Sequence, residues 1–214
     1  IKTACQFPYV AIAITWNCFY VPYPISFNFK SHFGRTKAAN VIFSKYPLIK
    51  NKTLIFSKPK NNPWWYNLFY LNRLAQFVTV QHPSGQYFDI GNVQLDAFHS
   101  QERNTQLSQI LSRLKTLKNP HILCGDMNSI PKFQQKKAPF IDEPEVTYFS
   151  TVIQRLSKTY QIKPYYNTYP SNAPNRQLDY ILVSEGLTRA SLDLAAADGY
   201  PSDHLPLTSA ILLK

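Results

Sequence analysis

The sequence predicts an α/β fold in which β-sheets pack face to face with helices on the outside. Strand-like runs recur along the chain, an amphipathic helix interrupts them, and the order strands, helix, strand, helix, strands does not repeat as βαβ units. With 44% hydrophobic and 14% aromatic residues over 214 positions, the apolar material suffices for one large core. The chain reads as a single domain over 1–214, with no internal repeat and no linker.

Strand signals fall at 39–43, 74–80, 87–95, 121–124, 177–183 and 205–213. These runs are β-branched or alternating, and turn residues such as Lys45-Tyr46-Pro47 and His82-Pro83-Ser84-Gly85 bound them. The runs 74–80 and 87–95 read as a hairpin. A helix follows Ser100, because Leu107, Ile110, Leu111 and Leu114 fall at i, i+3, i+4 and i+7 and Asn119-Pro120 supplies the stop. A second helix, with fainter periodicity, is expected over 145–156, with Tyr148, Phe149, Val152 and Leu156 as its buried side and Pro144 near its start. Sixteen prolines against six glycines, with no three-residue period, exclude collagen. No apolar run approaches the ~18 residues of a spanning helix, so none is expected.

Charge is divided unevenly. Residues 1–88 carry eight Lys, two Arg and no acid, a net +10, whereas 89–214 carry thirteen basic and twelve acidic residues. The first segment would attract phosphate-rich partners, whether nucleic acid, inositol phosphates or an anionic membrane surface. Its lysines are scattered through turn-like sequence and form no single helical stripe, which fits plain solvation equally well. The cysteines Cys5, Cys18 and Cys124 have no C-x-x-C or C-x-x-H spacing, so no zinc site, disulfide framework or compartment follows from them.

Three short segments place polar side chains where strands end. In Cys124-Gly125-Asp126-Met127-Asn128, the glycine permits a tight turn, and Asp126 and Asn128, two positions apart, can share one space. In Gln177-Leu178-Asp179-Tyr180-Ile181-Leu182, an acid sits inside an apolar strand and needs a partner. In Ser202-Asp203-His204-Leu205-Pro206-Leu207, an Asp-His pair opens the last strand. Taken singly, each has an ordinary structural explanation. Their ordered combination is far more specific.

That combination resembles the endonuclease/exonuclease/phosphatase superfamily, with the deoxyribonuclease-I-like fold. Asn40-Val41-Ile42-Phe43-Ser44-Lys45-Tyr46-Pro47 and Asn92-Val93-Gln94-Leu95-Asp96, followed by Arg103 and Gln106, extend the likeness over 35–214. Residues 1–34, with Trp16-Asn17 and Tyr20-Val21-Pro22-Tyr23-Pro24, are similar to bacterial members of uncharacterised specificity. The resemblance implies a four-layer α-β-β-α sandwich of two mixed β-sheets with the site at one end. It also implies hydrolysis of a phosphate ester with Mg²⁺ or Mn²⁺. By the same resemblance, His204 handles the proton of the attacking water and Asp179 fixes its tautomer. Asp126 orients the water, Asn128 and Gln94 contact the phosphate, and Asp203 with Asp126 supports the metal.

Two departures from the family's pattern shape the expectations. The family's further metal-site Asn and Glu lie ahead of the segment with which this sequence begins, and 1–88 contains no acid. The expectation is therefore a domain lacking its N-terminal strand and metal-ligand segment, weak or inactive as it stands. Gln94 occupies a position where many members carry a His; an amide can bind a phosphate oxygen but cannot carry a proton at neutral pH.

The leading expectation is a metal-dependent phosphodiesterase, with nucleic acid favoured by the +10 segment and by Trp64, Trp65 and Tyr66 as stacking rings. Such aromatics after proline are more often core or loop anchors. The rival substrate is a phospholipid or sphingolipid headgroup, and the rival class is a non-catalytic basic binding module. No obligate protein partner is expected, and the chain is read as a monomer.

Overall fold

Residues 6–24, 27–59, 62–137, 140, 148, 150–195 and 201–214 are described by the computed structural model. Along the chain run β1 (Tyr9–Val21), β2 (Gly34–Ser44), β3 (Leu48–Ile55), α1 (Trp64–Phe69), β4 (Leu74–Gln81), β5 (Tyr87–Gln94), α2 (Ser100–Leu114) and β6 (His121–Asp126). There follow α3 (Val152–Leu156), β7 (Asp179–Val183), β8 (Leu187–Arg189), β9 (Asp193–Leu194), β10 (Leu207–Thr208) and β11 (Ile211–Leu213).

Five strands form one mixed sheet in the order β3-β4-β5-β6-β7. The expected hairpin is its centre, with Leu74 opposite Gln94 and Gln81 opposite Tyr87. β5 and β6 are parallel, which requires a crossover, and α2 supplies it. Because side chains alternate along a strand, Ala75, Phe77, Val93, Leu123, Tyr180 and Leu182 face one side. There they pack against Leu107, Ile110 and Leu114 of α2 and Val152, Ile153 and Leu156 of α3. This layer is the main core, and the helical periodicity read from the sequence is the face that fills it.

On the other side, β1 and β2 lie against β3, β4 and β5, and Asn51 Nδ2 donates to the Ile12 carbonyl at 3.2 Å. Beside them are the antiparallel pairs β8–β11 and β9–β10. The architecture is thus a mixed α/β fold with a five-stranded mixed sheet and few helices, as the sequence predicts. Among the described residues, the layer opposite the main sheet is made of two-stranded pairs.

Several elements differ from the sequence reading. The run 205–213 divides into β10 and β11, which pair with different partners. Ser209 Oγ donates to the Ser191 carbonyl and the Ala210 N–H donates to Ser191 Oγ, so side chains replace ladder bonds at the break. β3 went unread because Lys50, Asn51 and Lys52 interrupt its apolar pattern; they sit on a sheet edge, where charge discourages further pairing. β1 breaks its register between Ile14 and Trp16. Trp64 and Trp65 lie on α1 and are exposed by 77% and 46%, so they are surface residues rather than core anchors. Of the second expected helix, Val152–Leu156 is helical and Tyr148 is buried; Pro144, Glu145 and Phe149 lie outside the described residues, as does Cys5. Cys18 and Cys124 are free, and burial pushes the Cys124 thiol up to about 11.

Candidate active site

The site is assembled by strand register. Gln94 on β5 is paired with Asp126 on β6, and Asp126 with Asp179 on β7, so three polar side chains form a row across the end of the sheet, on the face opposite the helices. Gly125 makes the row possible. Its φ is +129°, and a Cβ there would lie 2.0 Å from the Val93 carbonyl oxygen, so no other residue lets β5 and β6 approach this closely at that turn.

Asp126 is held by the residue two positions on. The Asn128 N–H donates to Asp126 Oδ1 at 2.8 Å, and Asn128 Nδ2 donates to Oδ2 at 2.9 Å. The same Nδ2 donates to the Leu95 carbonyl at 3.0 Å, while the Leu95 N–H donates to the Asp126 carbonyl. Asn128 accepts a positive φ of +44° to do this, a conformation in which asparagine is among the better tolerated residues. Both hydrogens of its amide are therefore engaged, and contact with a phosphoryl oxygen requires one bond to be exchanged. Burial first, then the neighbouring Asp179 charge, push the Asp126 carboxyl up to about 6, against the opposing influence of His204, Asn128 and Arg73.

His204 reaches the row from the far end of the chain. Its Nδ1 lies 2.7 Å from Asp179 Oδ2, across 25 positions of sequence. Burial works against its charged form, but the hydrogen bond and charge of Asp179, with Asp126 and Asp203 behind them, raise its pKa above the ordinary value. The Tyr169 ring packs against the imidazole at 4.8 Å between centroids. Thr168 locks the two halves together: its Oγ1 accepts from the Leu178 and Asp179 N–H groups at 3.1 and 3.2 Å, and its carbonyl accepts from the Leu205 N–H. Asp203 is exposed, with its backbone carbonyl bonded by the Ser171 N–H and its carboxylate receiving Ser202 Oγ at 3.4 Å.

The structure thus brings Gln94, Asp126, Asn128, Asp179 and His204 together, with Asp203 adjacent in sequence to His204. Sequence reasoning missed Thr168, Tyr169 and Arg73. Thr168 and Tyr169 lie in the irregular segment before β7, which carries no periodicity to mark them. Arg73 immediately precedes β4, and a cation at a strand boundary is an ordinary feature.

A divalent cation suits hard carboxylate oxygens, yet the carboxylates here are largely committed. Both Asp126 oxygens accept from Asn128, and Asp179 is engaged by His204. Among the described residues, no group of three or more His, Cys, Asp and Glu is placed to hold a metal ion. These residues do not form a complete metal site.

A model of the endonuclease/exonuclease/phosphatase family matches residues 5–204, and the chain belongs to that family. Members are generally hydrolases of phosphoester bonds and typically use divalent metals. Among solved structures, a family protein from Beutenbergia cavernae is similar at 17% identity with a TM-score of 0.65; the match covers 99% of this chain and 55% of that one. The human Nocturnin catalytic domain with bound sulfate is similar at 18% identity with a TM-score of 0.57, covering 100% and 76%. A mannosyl-6-phosphatase of Bacteroides thetaiotaomicron is similar at 15% identity with a TM-score of 0.55, covering 83% and 71%. These likenesses bear on the fold. No curated protein matches the chain.

Proposed function

We propose that the chain is a phosphoric ester hydrolase that acts on a phosphodiester by His-assisted attack of water. The observation that carries this reading is the 2.7 Å bond between His204 Nδ1 and Asp179. With Nδ1 donating to the carboxylate, Nε2 is the nitrogen free to take a proton, and the imidazolium that results is stabilised where it forms. Asp126, one strand away from Asp179, orients the water; Gln94, beside Asp126, offers amide hydrogens to a phosphate oxygen. Asn128 acts by holding Asp126.

A second reading, a non-catalytic binding module, is favoured by the commitment of the Asp126 and Asp179 oxygens to Asn128 and His204. Hydrolysis of bis(4-nitrophenyl) phosphate, measured with and without Mg²⁺ or Mn²⁺, separates the two. The hydrolase reading expects turnover that His204→Ala lowers by at least ~10²-fold. Absence of turnover with either ion favours the binding module, and equal turnover in the variant removes His204 from the mechanism.

A further inference from the structure

The main sheet carries a second polar concavity, away from the candidate active site. Lys50 on β3 is paired with Thr79 on β4 and Thr79 with Asp89 on β5, while Lys52 is paired with Phe77, so these side chains share the face that the helices cover. The end of α2 and the turn that follows it form the other wall. Between them lies a cavity of about 330 Å³, lined by residues that include Lys50, Lys52, Asp89, Arg113, Lys118 and Asn119. Asp89 is paired with His121 at the start of β6, whereas Gln94 is paired with Asp126 at its end. Five residues of strand, about 17 Å, therefore separate the cavity from the row, and the two lie on opposite faces of the sheet.

The cavity is cationic. Four basic side chains line it against one carboxylate, and that carboxylate is engaged: Asp89, 4% exposed, accepts from Thr79 Oγ1 at 2.5 Å and from Asn119 Nδ2 at 3.3 Å. Among the described residues, Lys50, Lys52 and Lys118 have no ion-pair or hydrogen-bond partner for their ammonium groups. Arg113 is oriented. Its Nη1 donates to Thr116 Oγ1 at 3.0 Å, and its Cζ stands 5.7 Å from the centroid of the Phe77 ring, a contact that restrains the guanidinium plane. Most of its fork of N–H donors is left for an acceptor. The carbonyl end of a helix opposes an anion with about half a charge. Here the Leu111, Arg113 and Leu114 carbonyls accept from the Lys115, Thr116 and Leu117 N–H groups, and four full positive charges outweigh the remainder.

Charge and shape indicate the occupant. Cations gathered in a cleft without free acids repel one another and focus a positive field into it. One phosphoryl group carries about −1.5 to −2 at neutral pH, short of the net +3 of the lining; two adjacent groups meet it. A nucleic acid strand fits less well. Its charges are spread along the backbone and its bases bind by stacking on open rings, whereas the Phe77 ring is 4% exposed and lies under Arg113.

We propose that this cavity is a second anion site that takes a small ligand bearing two adjacent phosphoryl groups, gripped by the Arg113 fork and neutralised by Lys50, Lys52 and Lys118. Its separation from the row means that the ligand is not the row's substrate, and the proposal does not rest on the hydrolase reading.

Isothermal titration calorimetry of the 214-residue chain with sodium pyrophosphate, in low-salt buffer free of divalent ions, reads the site without turnover. One equivalent binds, and orthophosphate binds at least about tenfold more weakly. Lys50→Gln/Lys52→Gln, at two exposed positions on an edge strand, weakens pyrophosphate binding at least about tenfold; thermal melts without ligand verify that this variant is folded. Arg113→Lys, which keeps the charge but not the fork, weakens binding about fivefold. His204→Ala and Lys30→Gln/Lys37→Gln, the latter removing equal charge from exposed positions elsewhere, bind as the wild type does. Absence of binding, orthophosphate bound as tightly as pyrophosphate, or an equal loss in Lys30→Gln/Lys37→Gln overturns the proposal. So does a loss in His204→Ala with none in Lys50→Gln/Lys52→Gln, which places the anion at the row. ADP bound as tightly as pyrophosphate shows that the paired phosphoryl groups are all the site recognises, and tighter ADP binding with the same dependence on Lys50 and Lys52 assigns the ligand to the nucleoside diphosphates. A thymidine oligonucleotide that displaces pyrophosphate more effectively than ADP overturns the proposal in favour of nucleic acid.

Discussion

The row of Gln94, Asp126 and Asp179 and the surface of the acid-free segment, over the described residues of 9–69, are built from opposite materials. In the row, both carboxylates have stated partners: Asn128 on Asp126 and His204 on Asp179, with Thr168 beneath the start of β7. In the surface, Phe19, Phe27, Phe29 and Trp64 stand in solvent, and Trp16 Nε1 and Asn40 Nδ2 are buried without partners. Chemistry needs groups fixed to within fractions of an ångström, so its region is over-determined by hydrogen bonds. The difference teaches where substitutions should hurt.

The largest effect expected is at Gly125. Its φ of +129° and the Val93 carbonyl 2.0 Å from a Cβ make Gly125→Ala destabilising by about 3 kcal/mol or more. Gly34, in the acid-free segment, also has positive φ, at +62°, but nothing lies within 4 Å of a Cβ there. Gly34→Ala should cost about 1 kcal/mol, the backbone term alone. Chemical denaturation of both variants measures the contrast, and equal losses would break it.

Next is chemistry. Asp179→Asn removes the carboxylate that engages His204 Nδ1 and should lower turnover by about 10²-fold, close to the loss in His204→Ala, with the double variant no worse than either. Additive losses in a double-mutant cycle would show that the two side chains act separately.

A smaller effect concerns pH. The folded-state pKa of Asp126 is raised to about 6 by burial and by Asp179, and that of His204 is raised by Asp179 despite burial. A raised folded pKa gives stability that is complete below the unfolded value and is lost as pH rises through the folded one. Both groups therefore favour the acidic side, Asp126 between the ordinary carboxylate range and about 6 and His204 from 6.5 upward. Asp126→Asn, which keeps an acceptor for the Asn128 N–H, should be about 1 kcal/mol more stable than the wild type at pH 7.5 and no more stable at pH 4. Thermal melts at the two pH values read this directly; a variant less stable at both would mean that the Asn128 bonds outweigh the repulsion.

How much was legible follows the same division. The row could be read because each member closes a strand in a short, ordered motif, and Gly125 and the Asp-His pair leave marks that local chemistry explains. The surface could be read only as composition, a lack of acids and an excess of rings, because nothing local in Phe27 or Trp64 says whether a ring turns in or out. β3 and β1 were missed for related reasons, the first hidden by edge lysines and the second because it buries the small or polar Ala11, Ala13 and Thr15 and exposes Ile12 and Ile14, the reverse of the usual apolar face. Thr168 could not be found at all, since its role depends on two segments that meet only in the folded chain.

The smallest effect expected is that of Mg²⁺. A cation of this kind keeps several waters and is bound through one or two carboxylates together with substrate phosphate. Asp126 accepts from Asn128 on both oxygens and Asp179 is engaged by His204, so binding at the row means exchanging existing bonds for coordination. Asp203, exposed and bonded by Ser202 at 3.4 Å, is the more available ligand. One such carboxylate gives affinity in the millimolar range or weaker, and a ligand at its own Kd stabilises the fold by about 0.4 kcal/mol. Mg²⁺ at about 1 mM should therefore raise the stability of the 214-residue chain by less than about 0.5 kcal/mol, with little heat on titration. Asp203→Asn should abolish even that, while the aromatic surface, which contains no carboxylate, should show no response to the ion. A stabilisation of 2 kcal/mol or more, about what saturation tens of times above Kd requires, would mean that the row exchanges its internal bonds for metal coordination, and that its hydrogen bonds are a resting arrangement rather than the working one.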